Sequence, residues 1–520
     1  MKELARDSAW NLSRGRVAAV GAFFALNLAV YLIRILSVWR YGALFCSTAV
    51  ESPMIDSVWR CMNHQPVYTW PFVFPFSLSL YNYLFYYVYA GVLRLMGVDG
   101  VDILTWGRQF TLLFALAGAV AQWRLVRALL KLRGTASALS LALALGLWLS
   151  TSLVKYWALS IRPDMAAAAL VMIALWVVVR QPRFCFAYAG LLLYLAWAFK
   201  QSVVLAFVGL CFWLLLNKRW RDLTLLAAVF AALVAATLLF GTPEYRFSIL
   251  VAPQVVRGFA FSLPWILRAL GTGLTAVGLN LYWVAAPFVL LRASKSPGTL
   301  HCSCAPSILR SLQNGWESML ATVFVVALIV GLAAMGKVGG TSNYLFEAFA
   351  AGSTLLQIAV FTLPGRLVTT LLLFGCVQPA VQLVGTAIGY HHPGKKDMVP
   401  IATAAEYRDA VALRNRLAAL KRPIFTTDGV FALPWNSTEN DAPAIVIDPN
   451  FQEAARSREQ NGGIEGMLQR GEIPTVMLAS TDLVYFNSLN PGYRKVAESI
   501  QQGVTYSIYT FSPNPPATLY

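Results

Sequence analysis

The sequence predicts a polytopic α-helical membrane protein that carries a small C-terminal α/β domain. Two observations predict it. Hydrophobic residues make up 58% of the 520 positions against 12% charged, with mean hydropathy +0.60, a balance that no string of water-soluble domains reproduces. The long apolar runs all end by residue 388, whereas Gly389 to Tyr520 holds thirteen of the 24 acidic residues and twelve of the 41 Lys and Arg. The expected division is therefore a membrane part, 1–389, and a water-soluble part, 390–520. The formal net charge of +17 falls mainly on the membrane part. There, Lys and Arg mark cytoplasmic loops and anionic headgroups, so nucleic acid is not an expected partner.

The first span follows Lys2, Arg6, Arg14 and Arg16 and runs from Val17 to Trp39. It is too long for the apolar core of a signal peptide and lacks a small-residue cleavage site. Further runs of adequate length lie at 109–123, 135–153, 165–179, 184–198, 203–216, 223–240, 273–291, 318–335, 345–363 and 367–388, at about 20 residues per crossing. That makes eleven. The Tyr-rich segment Leu78 to Met96 would be a twelfth, and basic residues decide against it. With eleven spans the cytoplasmic stretches hold seventeen Lys and Arg and the longer outer loops eleven, as the positive-inside rule requires. The segment is then an interfacial helix on the outer face. The N-terminus is expected in the cytoplasm and the C-terminal domain outside, in the periplasm of a bacterial inner-membrane protein.

Candidate chemistry collects in the outer loops. The first, Tyr41 to Phe76, contains Glu51, Asp56 and His64. Either carboxylate suits a general base when partly withdrawn from water; His64 suits a base or a headgroup contact. The second reads Arg162-Pro163-Asp164 before an alanine-rich span, which puts Asp164 at a helix start, where the dipole favours a carboxylate. Lys200 and Gln201 interrupt an apolar stretch at the next outer turn. A lysine there suits a phosphate beside a low-dielectric wall, or snorkels to the interface. A further loop, Gly339-Gly340-Thr341-Ser342-Asn343-Tyr344, is followed by Glu347. Its glycines permit close backbone approach, and Asn343 and Tyr344 supply hydrogen bonds for a sugar or phosphate. No nucleotide-binding loop or HExxH pattern occurs, and Cys302 and Cys304 beside His301 are too few for zinc.

In the tail, Glu406–Lys421 is expected to be a helix, Pro423–Leu433, Ala444–Ile447, Thr475–Leu478 and Thr505–Phe511 strands, and Tyr493–Ile500 a helix.

In order and spacing, Glu51, the loop aromatics ending in Phe74-Pro75, Arg162-Pro163-Asp164, Phe199-Lys200-Gln201 and Gly340-Thr341-Ser342-Asn343-Tyr344 resemble the GT-C membrane glycosyltransferases. The resemblance is to the bacterial branch related to protein mannosyltransferases and lipid A aminoarabinose transferase. It implies transfer of a sugar from a polyprenyl-phosphate donor to a glycan, lipid or protein acceptor at the outer membrane face, usually with inversion. It further implies Glu51, Asp56 and Asp164 as catalytic candidates. Arg162, Lys200, Gln201, Asn343, Tyr344, Glu347 and His64 become substrate-binding candidates. Val50 stands where the family commonly has the first acid of an Asp-Glu pair, which leaves the base open between Glu51 and Asp56. A divalent cation is optional in such a site, and no metal ligand set is expected. The rival class is a lipid or lipid-linked sugar flippase, which would place its polar groups near the bilayer midplane rather than at one face.

Overall fold

The structure is a computed structural model that describes residues 13–41, 51–73, 76–98, 100–150, 154–180, 183–252, 267, 271, 315–335, 342–363, 365–387, 404–432, 445–446, 460–480, 483–501 and 504–512. Its helical part comprises α1 (Arg14–Tyr41), α2 (Glu51–Met62), α3 (Tyr83–Leu95), α4 (Asp102–Leu130), α5 (Gly134–Ser150), α6 (Asp164–Arg180), α7 (Cys185–Phe199), α8 (Leu205–Leu216), α9 (Trp220–Phe240), the short α10 (Pro243–Arg246), α11 (Trp316–Met335), α12 (Phe346–Thr362) and α13 (Gly365–Ala387). Among the described residues six helical stretches are long and apolar enough to cross a membrane: five lie within α1, α4, α9, α11 and α13, and the sixth, Asn343–Thr362, takes in α12 and the turn before it. This is a polytopic helical membrane protein. Ten of the eleven expected runs fall on helices, and the remaining run, 273–291, lies outside the described residues.

Two hydrogen bonds orient the bundle. Arg16 Nη2 donates to the Leu363 carbonyl at 2.7 Å, and Arg34 Nη2 to Gln382 Oε1 at 3.3 Å. Helices α1 and α13 thus run parallel, and their C-terminal ends share one face of the bundle. α2 follows α1 on that face.

Small residues let the helices approach closely, as membrane interfaces require. Ala166 to Ala169 on α6 are at most 1% exposed, and α6 packs against α4, α7 and α12. A Cβ at Gly118 of α4 would fall inside the Trp148 ring, so only glycine allows that contact. Trp148 Nε1 donates to Gln122 Oε1 at 2.7 Å, and Ser353 Oγ donates to the same oxygen at 2.8 Å. Gln122 Nε2 donates to Gln357 Oε1 at 2.8 Å, and Gln357 Nε2 to Ser140 Oγ at 2.7 Å. This network joins α4, α5 and α12 within an otherwise apolar interior, where an unmet amide would be costly.

The Tyr-rich segment is an extended stretch, 76–82, followed by α3, whose 13 residues span only about 20 Å and do not cross a 30 Å hydrocarbon core. Its rings are not an interfacial belt. Phe85, Tyr86 and Tyr89 are fully buried against α2, α4 and α7, and only Tyr87 is largely exposed, at 56%. The hydroxyls explain this difference, since they find protein partners: Tyr89 meets Thr111 Oγ1 at 2.7 Å, and Tyr86 accepts from the Tyr81 N–H at 3.1 Å.

Residues 404–512 form α14 (Ala404–Ala418), α15 (Gly429–Ala432), α16 (Gly463–Arg470), α17 (Leu483–Asn487) and strands β1 (Ile424–Thr426), β2 (Ile445–Val446), β3 (Thr475–Ala479), β4 (Tyr493–Gln501) and β5 (Val504–Phe511). The sheet order is β2-β1-β3-β5-β4, parallel at β2-β1-β3 and antiparallel at β3-β5-β4. Two expectations are corrected. Tyr493–Ile500 is a strand, not a helix: the spacing of Tyr493, Val496, Ala497 and Ile500 looks helical only because a bulge between Lys495 and Ala497 breaks the alternation. In the strand Tyr493 and Ala497 are 9% exposed while Val496 and Ile500 face outward at 46% and 64%. The strand expected over Pro423–Leu433 stops at Thr426, whose Oγ1 accepts from the Asp428 N–H at 2.9 Å in a local turn. Gly429 N–H then donates to Ser52 Oγ of α2 at 2.5 Å, which docks this sheet unit on the first-loop helix.

Candidate active site

Two buried ionic clusters lie on the face that carries α2 and the sheet unit. The first is built on the start of α2. Glu51, fully buried, receives Arg108 Nη2 at 2.9 Å on Oε2 and Arg108 Nε at 3.2 Å on Oε1. The Ile161 N–H adds a third bond to Oε1, at 2.8 Å. A carboxylate at the first residue of a helix also meets the positive dipole end. Arg108, six residues into α4, is only 2% exposed. A guanidinium there is tolerable because the forked pairing returns its lost hydration.

The second cluster centres on Asp164, the first residue of α6. Its Oδ1 receives Lys200 Nζ at 2.5 Å and Asn343 Nδ2 at 3.1 Å, while Oδ2 receives Arg162 Nε at 3.1 Å. Arg162 Nη2 donates to the Tyr81 hydroxyl at 2.5 Å, and the guanidinium lies 4.1 Å from the Trp157 ring centre. Lys200 Nζ stands 5.6 Å from the centre of the Tyr344 ring. Three separate stretches of chain therefore converge on one carboxylate, at 162–164, 200 and 343, and Tyr81 joins them through Arg162. The run from Ile161 to Asp164 links the two clusters. Tyr89 lies against the same run, its hydroxyl 3.3 Å from the Arg162 carbonyl. Burial raises the Tyr89 pKa, and the neighbouring Asp164 and Glu51 carboxylates raise it further, so it stays a neutral hydrogen-bonding group.

Asp56 has a different setting. It lies one turn along α2 from Ser52, 3% exposed, and accepts from Arg60 Nε at 3.1 Å on Oδ2. Burial raises its pKa above the usual carboxylate value, and Arg60 opposes the rise. Arg60 Nη2 has no partner among the described residues. Below α2, Ser57 Oγ meets Ser79 Oγ at 2.9 Å, seating the helix on the extended stretch that also supplies Tyr81.

The remaining sequence candidates fall elsewhere on this face. Gln201 Nε2 donates to the Leu80 carbonyl at 2.7 Å, and its side-chain oxygen is unpartnered among the described residues. Glu347 accepts from the Ala206 N–H at 2.7 Å and so caps the start of α8 from a neighbouring helix. His64 is exposed just past the end of α2, at φ 56°. Gly340, Thr341, Phe74 and Pro75 lie outside the described residues. Sequence reasoning missed Arg108, counted there only as a loop cation, and Tyr81, Tyr89 and Trp157 as neighbours of the clusters. An arginine within the apolar pattern of a long helix was the available signal. Among the described residues no three His, Cys, Asp or Glu side chains come together as a metal-holding group.

These features define a class, a polytopic helical membrane protein with buried ionic clusters and a docked sheet unit at one face. Among the solved structures that share its fold are those of ArnT from Cupriavidus metallidurans. Bound to undecaprenyl phosphate, ArnT superposes with a TM-score of 0.60 and 12% identity over 94% of this chain and 97% of its own. In the apo state the values are 0.58, 13%, 94% and 98%. The oligosaccharyltransferase of Archaeoglobus fulgidus, in complex with zinc and sulfate, gives a TM-score of 0.46 and 11% identity over 93% of this chain and 72% of its own. At these identities the likeness concerns the fold alone. No protein-family model matches the chain, and no curated protein matches it in sequence.

Proposed function

We propose that the protein is a glycosyltransferase that moves a sugar from a polyprenyl-phosphate donor to an acceptor hydroxyl on the membrane face bearing α2 and the sheet unit. The observation that carries this reading is the convergence of Lys200, Arg162 and Asn343 on buried Asp164, a cation-rich cluster at the end of apolar helices. The GT-C fold shared with an undecaprenyl-phosphate-bound ArnT supports it. We take this face as periplasmic and the N-terminus as cytoplasmic, in keeping with the bias of basic residues. The sugar and the acceptor, whether glycan, lipid or protein, are set by contacts beyond these residues.

The reaction needs two things: removal of a proton from the acceptor oxygen, and acceptance of the charge left on the departing phosphate. The acceptor oxygen attacks the anomeric carbon as the carbon–phosphate-oxygen bond breaks, inverting the centre. Lys200 has ammonium donors beyond the one given to Asp164, and with Arg162 it takes up the phosphate charge. Asp164 holds both cations in place. Asn343 and Tyr344 border the same pocket, while Gln201 fixes the Leu80–Tyr81 stretch beside it. Asp56 serves as the base, because Glu51 is already committed to Arg108 and the Ile161 amide. Glu51 thereby anchors the first turn of α2. Each of these carboxylates is paired with Lys or Arg, a donor set suited to an anion rather than a resident divalent cation, and no step above uses one.

The test is to incubate the purified protein in nanodiscs with a panel of polyprenyl-phosphate sugars and membrane extract, following release of polyprenyl phosphate. One donor should be consumed, and Asp56→Asn should abolish its consumption. If no donor is consumed while labelled lipid crosses between leaflets in proteoliposomes, the transferase reading fails and a flippase takes its place.

The pH profile assigns the base independently. Turnover requires ionised Asp56 and falls as pH drops through its pKa. Arg60 favours the ionised form, so Arg60→Met should move the acid limb to higher pH. An unmoved limb would remove Asp56 from the role.

A further inference from the structure

The buried face of α1 changes character along its length. Ala19, Val20 and Phe23 are apolar, but Asn27, Tyr31, Arg34 and Ser37 continue the same face, each 8% exposed or less. Leu32, Leu36 and Trp39 point the other way, at 48%, 57% and 50% exposure. This polar stripe reaches the seam between α1 and α13, where Arg34 meets Gln382, and shares no residue with the two ionic clusters. Asn27 satisfies itself by donating to the Phe23 carbonyl at 2.8 Å. Arg34 does not. One guanidinium nitrogen reaches Gln382 Oε1 at 3.3 Å, while Nη1 is buried with no partner among the described residues. The Tyr31 hydroxyl, one helical turn away and 1% exposed, is likewise unpartnered.

Among the described residues the helices packed most extensively on α1 are α13 and α5, and neither they nor α1 contain an Asp or Glu. A water molecule could satisfy the tyrosine, but not the charge. A guanidinium held in a membrane-spanning seam with no counter-ion among the described residues is costly and marks a place where an anion is expected. Arg34 stands seven residues before Tyr41, about 10 Å along the helix from its end. That depth is within reach of a headgroup phosphate drawn down the seam, since an arginine stem extends toward the interface.

We propose that Arg34, Tyr31 and Gln382 form a lateral binding site for the phosphate of an anionic phospholipid from the leaflet on the α2 face. The guanidinium supplies the charge and two N–H donors. The tyrosine hydroxyl donates to a second phosphate oxygen, and the Gln382 side chain orients the arginine. The acyl chains lie along the exposed apolar flanks of α1 and α13. This site is separate from the Lys200 pocket and does not depend on the proposed transferase activity.

The test uses the full-length protein in phosphatidylcholine nanodiscs containing graded phosphatidylglycerol, with bound lipid read by native mass spectrometry after release. Wild type should retain one phosphatidylglycerol in preference to phosphatidylcholine. Arg34→Leu should weaken that retention roughly tenfold, the effect of losing a charged hydrogen-bond donor. Tyr31→Phe should weaken it by a smaller factor, and Arg34→Lys should preserve most of it. Should Arg34→Leu fail to fold, Tyr31→Phe carries the test, because it removes a single oxygen that has no partner among the described residues. Inorganic phosphate at millimolar concentration should not displace the lipid. Equal retention by Arg34→Leu or Tyr31→Phe and wild type overturns the proposal and makes the stripe a purely structural seam. Displacement by inorganic phosphate also overturns it, in favour of a site for free phosphate.

Discussion

Asp164→Asn is expected to lower release of polyprenyl phosphate by about two to three orders of magnitude, the effect of losing a preorganised electrostatic partner. Asparagine keeps the volume and one acceptor oxygen but not the charge. Lys200 and Arg162, with side chains 5% and 4% exposed, are then two buried cations facing one another. Removing one partner from a buried ionic group costs about 3–5 kcal/mol, so thermal unfolding in detergent should shift downward with the activity. A second substitution separates the two effects. Lys200→Met in the Asp164→Asn background relieves the repulsion and should restore much of the unfolding temperature without restoring turnover. An Asp164→Asn protein with ordinary turnover would show that the pocket does not handle the leaving phosphate.

The second large effect is one of stability. Arg108→Leu should destabilise the protein by about 3–5 kcal/mol, because it takes the forked cationic partner away from the fully buried Glu51 carboxylate. Thermal unfolding of Arg108→Leu, Glu51→Leu and the double variant forms a cycle that isolates the pair. The double variant should be more stable than either single one, since no buried charge remains. If the three losses simply add, the two side chains do not act as a pair. The same change should depress turnover, because Glu51 sets the first turn of α2 and Asp56 lies five residues further along it.

Much of this architecture is legible in the sequence because membrane helices are written in composition. An apolar run of sufficient length has few alternatives in lipid, and runs such as 318–335 and 223–240 match α11 and α9 closely. The convergence of the polar loops was legible in part. Asp164, Lys200 and Asn343 stand out as polar residues beside apolar runs, and they meet in one cluster. What the sequence withholds is pairing across long separations. Nothing local distinguishes Arg108 as the partner of Glu51 rather than a headgroup cation, and nothing local says that the Tyr-rich rings find hydroxyl partners inside the protein instead of at the interface. The tail is harder for a related reason. Short strands such as β2, with two residues, derive their stability from neighbours, and a single bulge in β4 is enough to imitate helical spacing.

The glutamine network between α4, α5 and α12 has a consequence for how the chain is made. Gln122 and its partner Gln357 are 235 residues apart. At synthesis rates of about 5–20 residues per second, the earlier helix waits roughly 12 to 47 seconds before the later one emerges. Through that interval the Gln122 carbonyl can be met by Trp148 of the adjacent helix, but its amide group has no partner in the hydrocarbon. The α4–α5 hairpin is thus inserted with an unfilled amide that only the penultimate described span of the bundle can occupy. The last stage of assembly is thereby keyed to one helix, and a chain truncated before α12 should remain exposed to the cell's membrane quality-control proteases.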